Sequence, residues 1–257
     1  MSQKLEQLAR DEAFMARALA LAERGTGWTS PNPLVGAVIG KDGRIIGEGW
    51  HTACGQPHAE REALAACDED PAGSTLYVTL EPCCHWGKTP PCTDAILEAG
   101  IARVVVGALD PNPLVAGQGC AQLREAGTVV ETGVLEEGCR HLNEVFFHFI
   151  TTGRPLVVLK YAMTLDGKAA TRTGASRWIT GPEARERVHR DRHRFAAIMV
   201  GIGTALADDP ALTCRLEGGP WRQPLRIVVD SQGRLPLDAL LVRTAQEIPT
   251  LVAVGPQ

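Results

Sequence analysis

The chain has 257 residues, of which 44% are hydrophobic and 22% charged, and its formal net charge is −4. These values are typical of a globular protein with a sizeable core. The acidic balance, without a basic stripe, argues against a nucleic-acid-binding surface. No apolar run approaches the about 18 residues that a membrane span needs, and the N-terminus lacks the order of a secretory signal. We therefore expect a cytoplasmic protein whose eight cysteines stay reduced.

The first half of the chain predicts a layered α/β fold. Residues 1–25 have the pattern of an amphipathic helix that stops at Gly25, and two apolar runs flank Asp42-Gly43, which is a hairpin signal. Helices and strands then alternate: "PHAEREALAAC" (helix), "TLYVTL" (strand), "PCTDAILEAG" (helix), "ARVVVGALD" (strand), "GQGCAQLREAG" (helix), "TVVETGV" (strand) and "EEGCRHLNEVFFHFI" (helix). This alternation indicates a sheet with helices on both faces.

The pattern restarts around "TTGRP", so we place a domain boundary there and predict domains at residues 1–150 and 151–257. The second domain is predicted to contain the strand "LVVLKYAMTLDG", the helix "GPEARERVHRDRHRF" and the strands "AAIMVGIG", "PLRIVVDS" and "TLVAVG". Because the sequence stops directly after a strand, we expect this domain to be C-terminally incomplete.

The stretch "EPCCHWGKTPPC" (residues 81–92) contains three cysteines and a histidine between a predicted strand and a predicted helix. Upstream, "PHAE" supplies His58 and Glu60 at the start of another helix. A His-x-Glu followed by Pro-Cys and a second cysteine is the signature of zinc deaminases, in which the glutamate moves protons and is not a ligand. A closed structural site, with Cys84 or His85 as a fourth ligand, stays open on the residue count alone.

Several blocks of the sequence together resemble a known family. They are "SPNPLVGAVI", "GEGWH", "HAE", "TLEPCCHWGKTPPC", "DPNPLVAGQG", "LKYAMTLDGKAATRTGASRWITG" and "GTALADDPALTCR". The first five resemble the deaminase half, and the last two the reductase half, of the bifunctional deaminase/reductase family of riboflavin biosynthesis. The resemblance implies a cytidine-deaminase-like three-layer domain followed by a dihydrofolate-reductase-like α/β domain, with zinc and NADPH as cofactors.

For the first domain, the resemblance implies that His58, Cys83 and Cys92 bind zinc, that Glu60 is catalytic, and that Cys84 is a bystander. It implies that the pyrimidine, ribose and phosphate of the substrate are held by Asn32, His51, His85, Lys88, Asp110 and Asn112. A lysine suits a phosphate, and amides can bind polar ring or sugar edges. The competing interpretation is that Asn-Pro is a turn signal and that the lysine is simply solvated.

For the second domain, the resemblance implies that NADPH is bound by Ala162, Trp178, Thr204, Asp208 and Ser231. It implies that the substrate is bound by Ser176, Arg192, Leu212 and Arg215. Guanidinium groups match phosphate in a bidentate manner. Without the family, the charged helix carrying Arg192 would be interpreted as a solvated face, and "GIGTALADDP" as a tight strand-to-helix turn.

The expected activity is zinc-dependent hydrolytic deamination of 2,5-diamino-6-(5-phosphoribosylamino)pyrimidin-4(3H)-one, followed by NADPH-dependent reduction of the ribosyl group to ribityl. Family members carry a further segment beyond the position of residue 257, so we expect this chain to deaminate but not to reduce. The alternatives are a nucleoside or tRNA deaminase and a non-catalytic zinc-stabilised binding module. We expect a small, pyrimidine-nucleotide-like partner and neither nucleic acid nor membrane; the oligomeric state stays open, a homo-oligomer included.

Overall fold

The computed structural model describes residues 2–86, 90–113 and 115–256. The chain divides into two compact units, one up to Val157 and one from Val158 onward. In those described ranges, no helix combines the length and the apolar character that crossing a membrane requires.

The first unit contains a five-stranded sheet and six α-helices among its described residues. In chain order they are α1 (Ser2–Ala22), β1 (Gly36–Lys41), β2 (Arg44–Trp50), α2 (Ala59–Ala65), β3 (Thr75–Leu80), α3 (Cys92–Glu98), β4 (Arg103–Ala108), α4 (Gln118–Glu125), β5 (Val129–Thr132), α5 (Glu136–Leu142) and α6 (Glu144–Thr152). The predicted hairpin forms at Asp42-Gly43 between β1 and β2, where both turn residues have positive φ. The helix-and-strand alternation predicted from the sequence is confirmed.

The strand order of this sheet is β2-β1-β3-β4-β5. The β1 strand is antiparallel to β2 and β3, whereas β3, β4 and β5 run parallel. Helices α2, α3 and α4 cover one face through side chains such as Ala63, Ile96 and Leu123. Helices α1, α5 and α6 cover the other face. The three layers agree with the predicted α/β class, and the carboxyl ends of β3 and β4 lie side by side, with Leu80 paired to Ala108.

The segment predicted as one helix, "EEGCRHLNEVFFHFI", is two helices, α5 and α6, that break at Asn143. This side chain is 3% exposed. Its amide accepts the N–H of Leu34 at 2.8 Å and donates to the Leu34 carbonyl at 2.8 Å. A buried backbone segment needs hydrogen-bond partners, and Asn143 supplies both from a distant part of the sequence. The boundary predicted near residue 150 falls inside α6.

The second unit is built around a parallel three-stranded sheet. Its described elements are α7 (Pro182–Arg194), β6 (Ala197–Gly201), α8 (Ile202–Asp208), β7 (Leu225–Val229), α9 (Leu240–Arg243) and β8 (Thr250–Ala253). The strand order is β6-β7-β8, and the small core contains Ala205, Leu212, Val228 and Leu241. The helix and the three later strands predicted for this half are confirmed.

The strand predicted for "LVVLKYAMTLDG" is wrong. This segment has no regular structure, and the side chains of Val157, Leu159 and Tyr161 are 84%, 82% and 64% exposed. A strand forms only when a neighbour takes up its backbone hydrogen bonds, and none of the described strands pairs with this segment. The apolar composition of this segment indicated a propensity to form a strand, but it could not show whether a neighbouring strand is available to pair with it.

Candidate active site and metal centre

The metal centre of the first unit is assembled from the start of α2 and the loop that follows β3. His58 is the N-cap residue of α2 in an extended conformation, so its side chain points away from the helix body while Glu60 occupies the first turn. Pro57 precedes it, as the sequence predicted for a helix start. Cys92 is the first residue of α3, and Cys83 lies in the loop between β3 and α3.

The donor atoms of these residues are at distances that suit a metal ion. His58 Nδ1 lies 3.5 Å from Cys83 Sγ and 3.4 Å from Cys92 Sγ, and all three donor atoms lie within 4.8 Å of one another. Tetrahedral zinc, with bonds of about 2.1 Å to nitrogen and about 2.3 Å to sulfur, places such atoms roughly 3.5 Å apart. The cluster therefore fits zinc. Within the described ranges neither Cys84 nor His85 joins it, and three ligands with an open position are typical of catalytic zinc.

Backbone hydrogen bonds close the eight-residue insertion between the two cysteines. The N–H groups of Cys92 and Thr93 both donate to the Cys83 carbonyl, at 3.0 and 3.2 Å. The Cys92 N–H also lies 3.3 Å from Cys83 Sγ, which stabilises the thiolate form. From α2, Arg61 donates to the carbonyls of Pro90 and Pro91 at 3.4 and 3.0 Å. These bonds hold the two ends of the insertion together, so that both thiols belong to the same cluster.

The electrostatics of the cluster favour a thiolate and a carboxylate that can be protonated. The hydrogen bond from Cys92 lowers the pKa of Cys83, and holding that shared proton raises the pKa of Cys92. Glu60 is 3% exposed; its burial, with a smaller contribution from the Cys83 charge, raises its pKa to about 7. Glu60 can therefore hold or release a proton beside the ligands.

The cluster opens into a cavity of about 320 Å³. The cavity is lined by most of the polar residues that the sequence predicted, namely Asn32, His51, His58, Glu60, Cys83, His85, Asp110 and Asn112. Val35, Leu80 and Phe146 form apolar parts of its wall, and Cys92 lies fully buried. Lys88, the predicted phosphate contact, lies outside the described residues.

The orientation of the His51 ring is fixed by a hydrogen bond to a backbone carbonyl group. Its Nδ1 lies 3.0 Å from the Pro57 carbonyl. A carbonyl only accepts, so Nδ1 carries the proton and Nε2 accepts from the Asn32 amide nitrogen at 3.1 Å. Burial lowers the pKa of His51, a direction that favours the neutral ring these two hydrogen bonds require. This arrangement orients the Asn32 amide and leaves its Oδ1 as an acceptor.

Two residues near the site were missed by the sequence reasoning: Arg61, described above, and Glu81. The Glu81 carboxylate is buried and accepts three backbone N–H groups from the chain after β4. An acidic residue directly after a predicted strand was the available signal, since a carboxylate that is buried there requires hydrogen-bond partners.

In the second unit, some of the predicted residues follow neighbouring strands of the sheet. Thr204 and Asp208 lie in α8, which follows β6, and Ser231 follows the neighbouring parallel strand β7. Thr204 and Ser231 therefore follow the carboxyl ends of adjacent strands, where ligands of α/β sheets bind, whereas Asp208 is the last residue of α8. Arg192 donates to the carbonyl of Thr213 at 2.9 Å and Arg215 to its hydroxyl at 2.8 Å. Burial, and next the nearby Arg215, lower the pKa of Arg192.

The remaining predicted residues of this unit lie elsewhere in its structure. Leu212 is 5% exposed and belongs to the apolar core. Ala162, Ser176 and Trp178 lie outside the helices and strands. Trp178 is 72% exposed, and the guanidinium of Arg185 lies 4.4 Å from its ring centre. The binding roles of these residues stay predictions.

Two protein families match the chain. The cytidine and deoxycytidylate deaminase zinc-binding region matches residues 8–108, and the RibD C-terminal domain matches residues 155–256. The riboflavin biosynthesis protein RibD of Aquifex aeolicus is 52% identical over 242 residues, which cover 94% of this chain and 67% of that protein. The crystal structure of a diaminohydroxyphosphoribosylaminopyrimidine deaminase/5-amino-6-(5-phosphoribosylamino)uracil reductase from Thermotoga maritima is 47% identical, with a TM-score of 0.90 over 96% of this chain and 70% of that one. The chain belongs to the RibD family.

Membership of the RibD family confirms the resemblance seen in the sequence and the cytidine-deaminase-like fold of the first unit. The RibD protein of Actinobacillus pleuropneumoniae is 57% identical over 243 residues, covering 95% of this chain and 64% of that protein. The chain thus spans about two thirds of the length of the curated RibD relatives that it matches. His58, Cys83 and Cys92 all lie inside the matched zinc-binding region.

Proposed function

We propose that the first unit hydrolytically deaminates 2,5-diamino-6-(5-phosphoribosylamino)pyrimidin-4(3H)-one, as the deaminase step of riboflavin biosynthesis. One observation carries the proposal: a three-ligand His/Cys/Cys cluster and a buried glutamate share a cavity with Asn32, His85 and Asp110. The similarity to the Thermotoga maritima protein, a diaminohydroxyphosphoribosylaminopyrimidine deaminase, supports this substrate.

Glu60 moves the protons of this reaction. His58, Cys83 and Cys92 would hold the zinc ion, which would supply a water molecule activated for attack at neutral pH. The Glu60 carboxylate accepts a proton from that water, donates one to the ring nitrogen and assists the departure of ammonia. Its burial beside Cys83 supports this role, because a carboxyl group with a raised pKa exchanges protons readily near neutral pH.

The cavity walls orient the pyrimidine and the ribose. Asn32, whose amide is oriented by His51, presents Oδ1 to an N–H donor of the ring. In the same cavity, the Asp110 carboxylate accepts the backbone N–H of Asn112 at 2.8 Å, which holds the loop that both residues belong to. His85 lines the same cavity, and we assign Lys88 to the phosphate on the sequence pattern alone.

For the second unit we infer a part in the NADPH-dependent reduction of the ribosyl group to ribityl by the RibD protein. The match to the RibD C-terminal domain supports this, as do the positions of Thr204 and Ser231 after the adjacent parallel strands β6 and β7; Asp208 is assigned on the sequence resemblance alone. NADPH supplies the hydride, and these residues would bind and orient the cofactor. Arg192 and Arg215, which meet at Thr213, suit the substrate phosphate.

The deaminase proposal is tested by ammonia release from zinc-loaded protein. The diaminopyrimidinone ribosylamino phosphate, cytidine, deoxycytidine monophosphate and tRNA are offered in parallel. We expect release from the first substrate only. Faster release from a nucleoside or from tRNA would support a different deaminase. No release from any of them, with one zinc bound per chain, would favour a non-catalytic zinc module.

A further inference from the structure

Glu81 follows the carboxyl end of β3, and its carboxylate accepts hydrogen bonds from backbone N–H groups of another segment. The residue is 4% exposed. Its Oε2 accepts the N–H groups of Gly117 at 2.8 Å and Asp110 at 3.2 Å, and its Oε1 accepts the N–H of Cys120 at 3.1 Å. Three amide donors on one carboxylate make its burial tolerable, since each hydrogen bond replaces one lost from water.

All three donors come from the chain that leaves β4 and enters α4. Gly117 is the N-cap residue of α4, with φ of 86°, and Cys120 lies in the first turn. The amides of a first turn have no partner within their own helix. Glu81 therefore caps α4 from a different element, and its negative charge suits that end of the helix.

The contact between the two elements is too close for a larger residue. A Cβ atom placed on Gly119 would lie 2.1 Å from the Pro82 carbonyl oxygen, well inside any allowed contact. Glycine at this position lets the first turn of α4 reach the backbone beside Glu81. The close approach that brings the Cys120 N–H to the carboxylate therefore depends on two residues, Glu81 and Gly119.

The same segment carries one wall of the cavity. The backbone N–H of Asp110 donates to the Glu81 carboxylate, and the Asp110 carboxylate in turn accepts the N–H of Asn112. Both residues line the cavity. On the other side, Glu81 lies two positions before the ligand Cys83. One buried carboxylate therefore ties the loop of the metal ligands to the loop of predicted substrate contacts.

We propose that Glu81 is a positioning residue, which sets Asp110 and Asn112 in register with the His/Cys/Cys cluster. Its effect on substrate binding depends on the proposed deaminase function; its effect on the loop does not. Two variants separate charge from shape. Glu81→Gln keeps the shape but turns an NH₂ group toward at least one N–H donor, whereas Glu81→Asp keeps the charge but cannot span the three donors.

The first measurement is amide hydrogen exchange, with Glu98→Gln as the matched control because Glu98 is exposed on α3, after the same ligand loop. We expect exchange in residues 109–120 to accelerate by about tenfold or more in both Glu81 variants, since each leaves buried amides unpaired. The rest of the unit and the control should exchange as the wild type does. Acceleration throughout the unit, no acceleration, or a wild-type result for Glu81→Asp would each overturn the proposal.

The second measurement separates KM from kcat in the zinc-loaded protein. We expect one zinc per chain in every variant, a KM raised about tenfold in Glu81→Gln, and a kcat within about threefold of wild type, because misplaced wall residues weaken binding in ground and transition state alike. Loss of zinc, or a kcat effect without a KM effect, would contradict the positioning role. A wild type without activity on the substrate would remove the proposed function, while the exchange result would still decide the role of Glu81 in the loop.

Discussion

Glu60 combines burial, a raised pKa and a place beside the ligand cluster in one side chain. Among the described residues lining the cavity, Glu81 and Asp110 are the other carboxylates, and both are engaged with backbone N–H groups. Glu60 is therefore the acid–base group that the geometry favours for deamination.

Replacing Glu60 by glutamine should abolish most of the activity without removing the metal. We expect ammonia release to fall by about 10²–10⁴-fold, because an amide cannot shuttle protons, while zinc content and secondary structure stay at wild-type values. Zinc by atomic absorption and ammonia release are measured on the same samples, with Glu62→Gln on the same helix as control. Near-normal release with zinc bound would remove Glu60 from the mechanism.

Replacement by serine should affect zinc content differently at Cys83, Cys84 and Cys92. Cys83→Ser and Cys92→Ser should each lose zinc, because a neutral hydroxyl is a far poorer ligand than a thiolate. Cys84→Ser should keep about one zinc per chain, since Cys84 lies outside the cluster. Zinc content after dialysis against a weak chelator measures this; if Cys84→Ser lost metal as fully as its neighbours, a closed four-ligand site would replace the open one.

At the scale of elements, α1 is fastened to the sheet by a buried acidic residue. Asp11 accepts two bonds from the Arg103 guanidinium on β4, at 2.9 and 2.7 Å, and one from the Tyr77 hydroxyl on β3 at 2.9 Å. Burial alone would raise the pKa of Asp11, but the hydrogen bonds from Arg103, Tyr77 and Gln7 outweigh it, and the net pKa is lowered. The charged form of Asp11 thus stabilises the folded unit.

Asp11→Asn should lower the free energy of unfolding of the first unit by about 2 kcal/mol at pH 7, because it leaves the largely buried Arg103 guanidinium with only the more exposed Glu131 as a charged partner. A lowered folded-state pKa means that the stabilisation is complete above the unfolded value of about 3.9 and is lost as pH falls through the folded value. Urea unfolding at pH 7 and near pH 3 should therefore show a large difference between variant and wild type that shrinks on acidification. The exposed neighbour Glu12 provides the control, Glu12→Gln. An equal difference at both pH values would mean that Asp11 acts through packing rather than charge.

At the scale of the whole molecule, each unit has an apolar core of its own. The metal cluster belongs to the first unit alone. In the second, Arg226 is fully buried and donates to the carbonyls of Ala211, Leu241 and Ile248. These features should allow the unfolding of the two units to be followed separately.

Removing zinc should lower the unfolding temperature of the first unit only, because a ligand that binds the folded state stabilises that state by mass action. Calorimetry of the intact chain, with zinc and after chelation, should show one transition that shifts and one that does not. Arg226→Met should lower the other transition instead, since it leaves several buried carbonyls without a donor. A chelator that shifted both transitions together would show that the units unfold as one.

The sequence by itself determined the features that depend on residues close together along the chain. The strand "TLYVTL", the turn at Asp42-Gly43 and the helix start at His58 formed as predicted, because propensity, turn chemistry and capping act over a few residues. The grouping of His58, Cys83 and Cys92 into one cluster was also predicted, since a His-x-Glu followed by two cysteines is a pattern of residue types with a known chemistry.

The tertiary structure decided the features that depend on distant partners. The break at Asn143 needs Leu34, 109 positions away, and the burial of Glu81 needs Cys120, 39 positions away. The segment "LVVLKYAMTLDG" is apolar but has no partner strand among the described strands. A buried polar group or a strand edge is stable only when a partner meets it in space, and spatial neighbours are set by the fold as a whole rather than by the residues on either side.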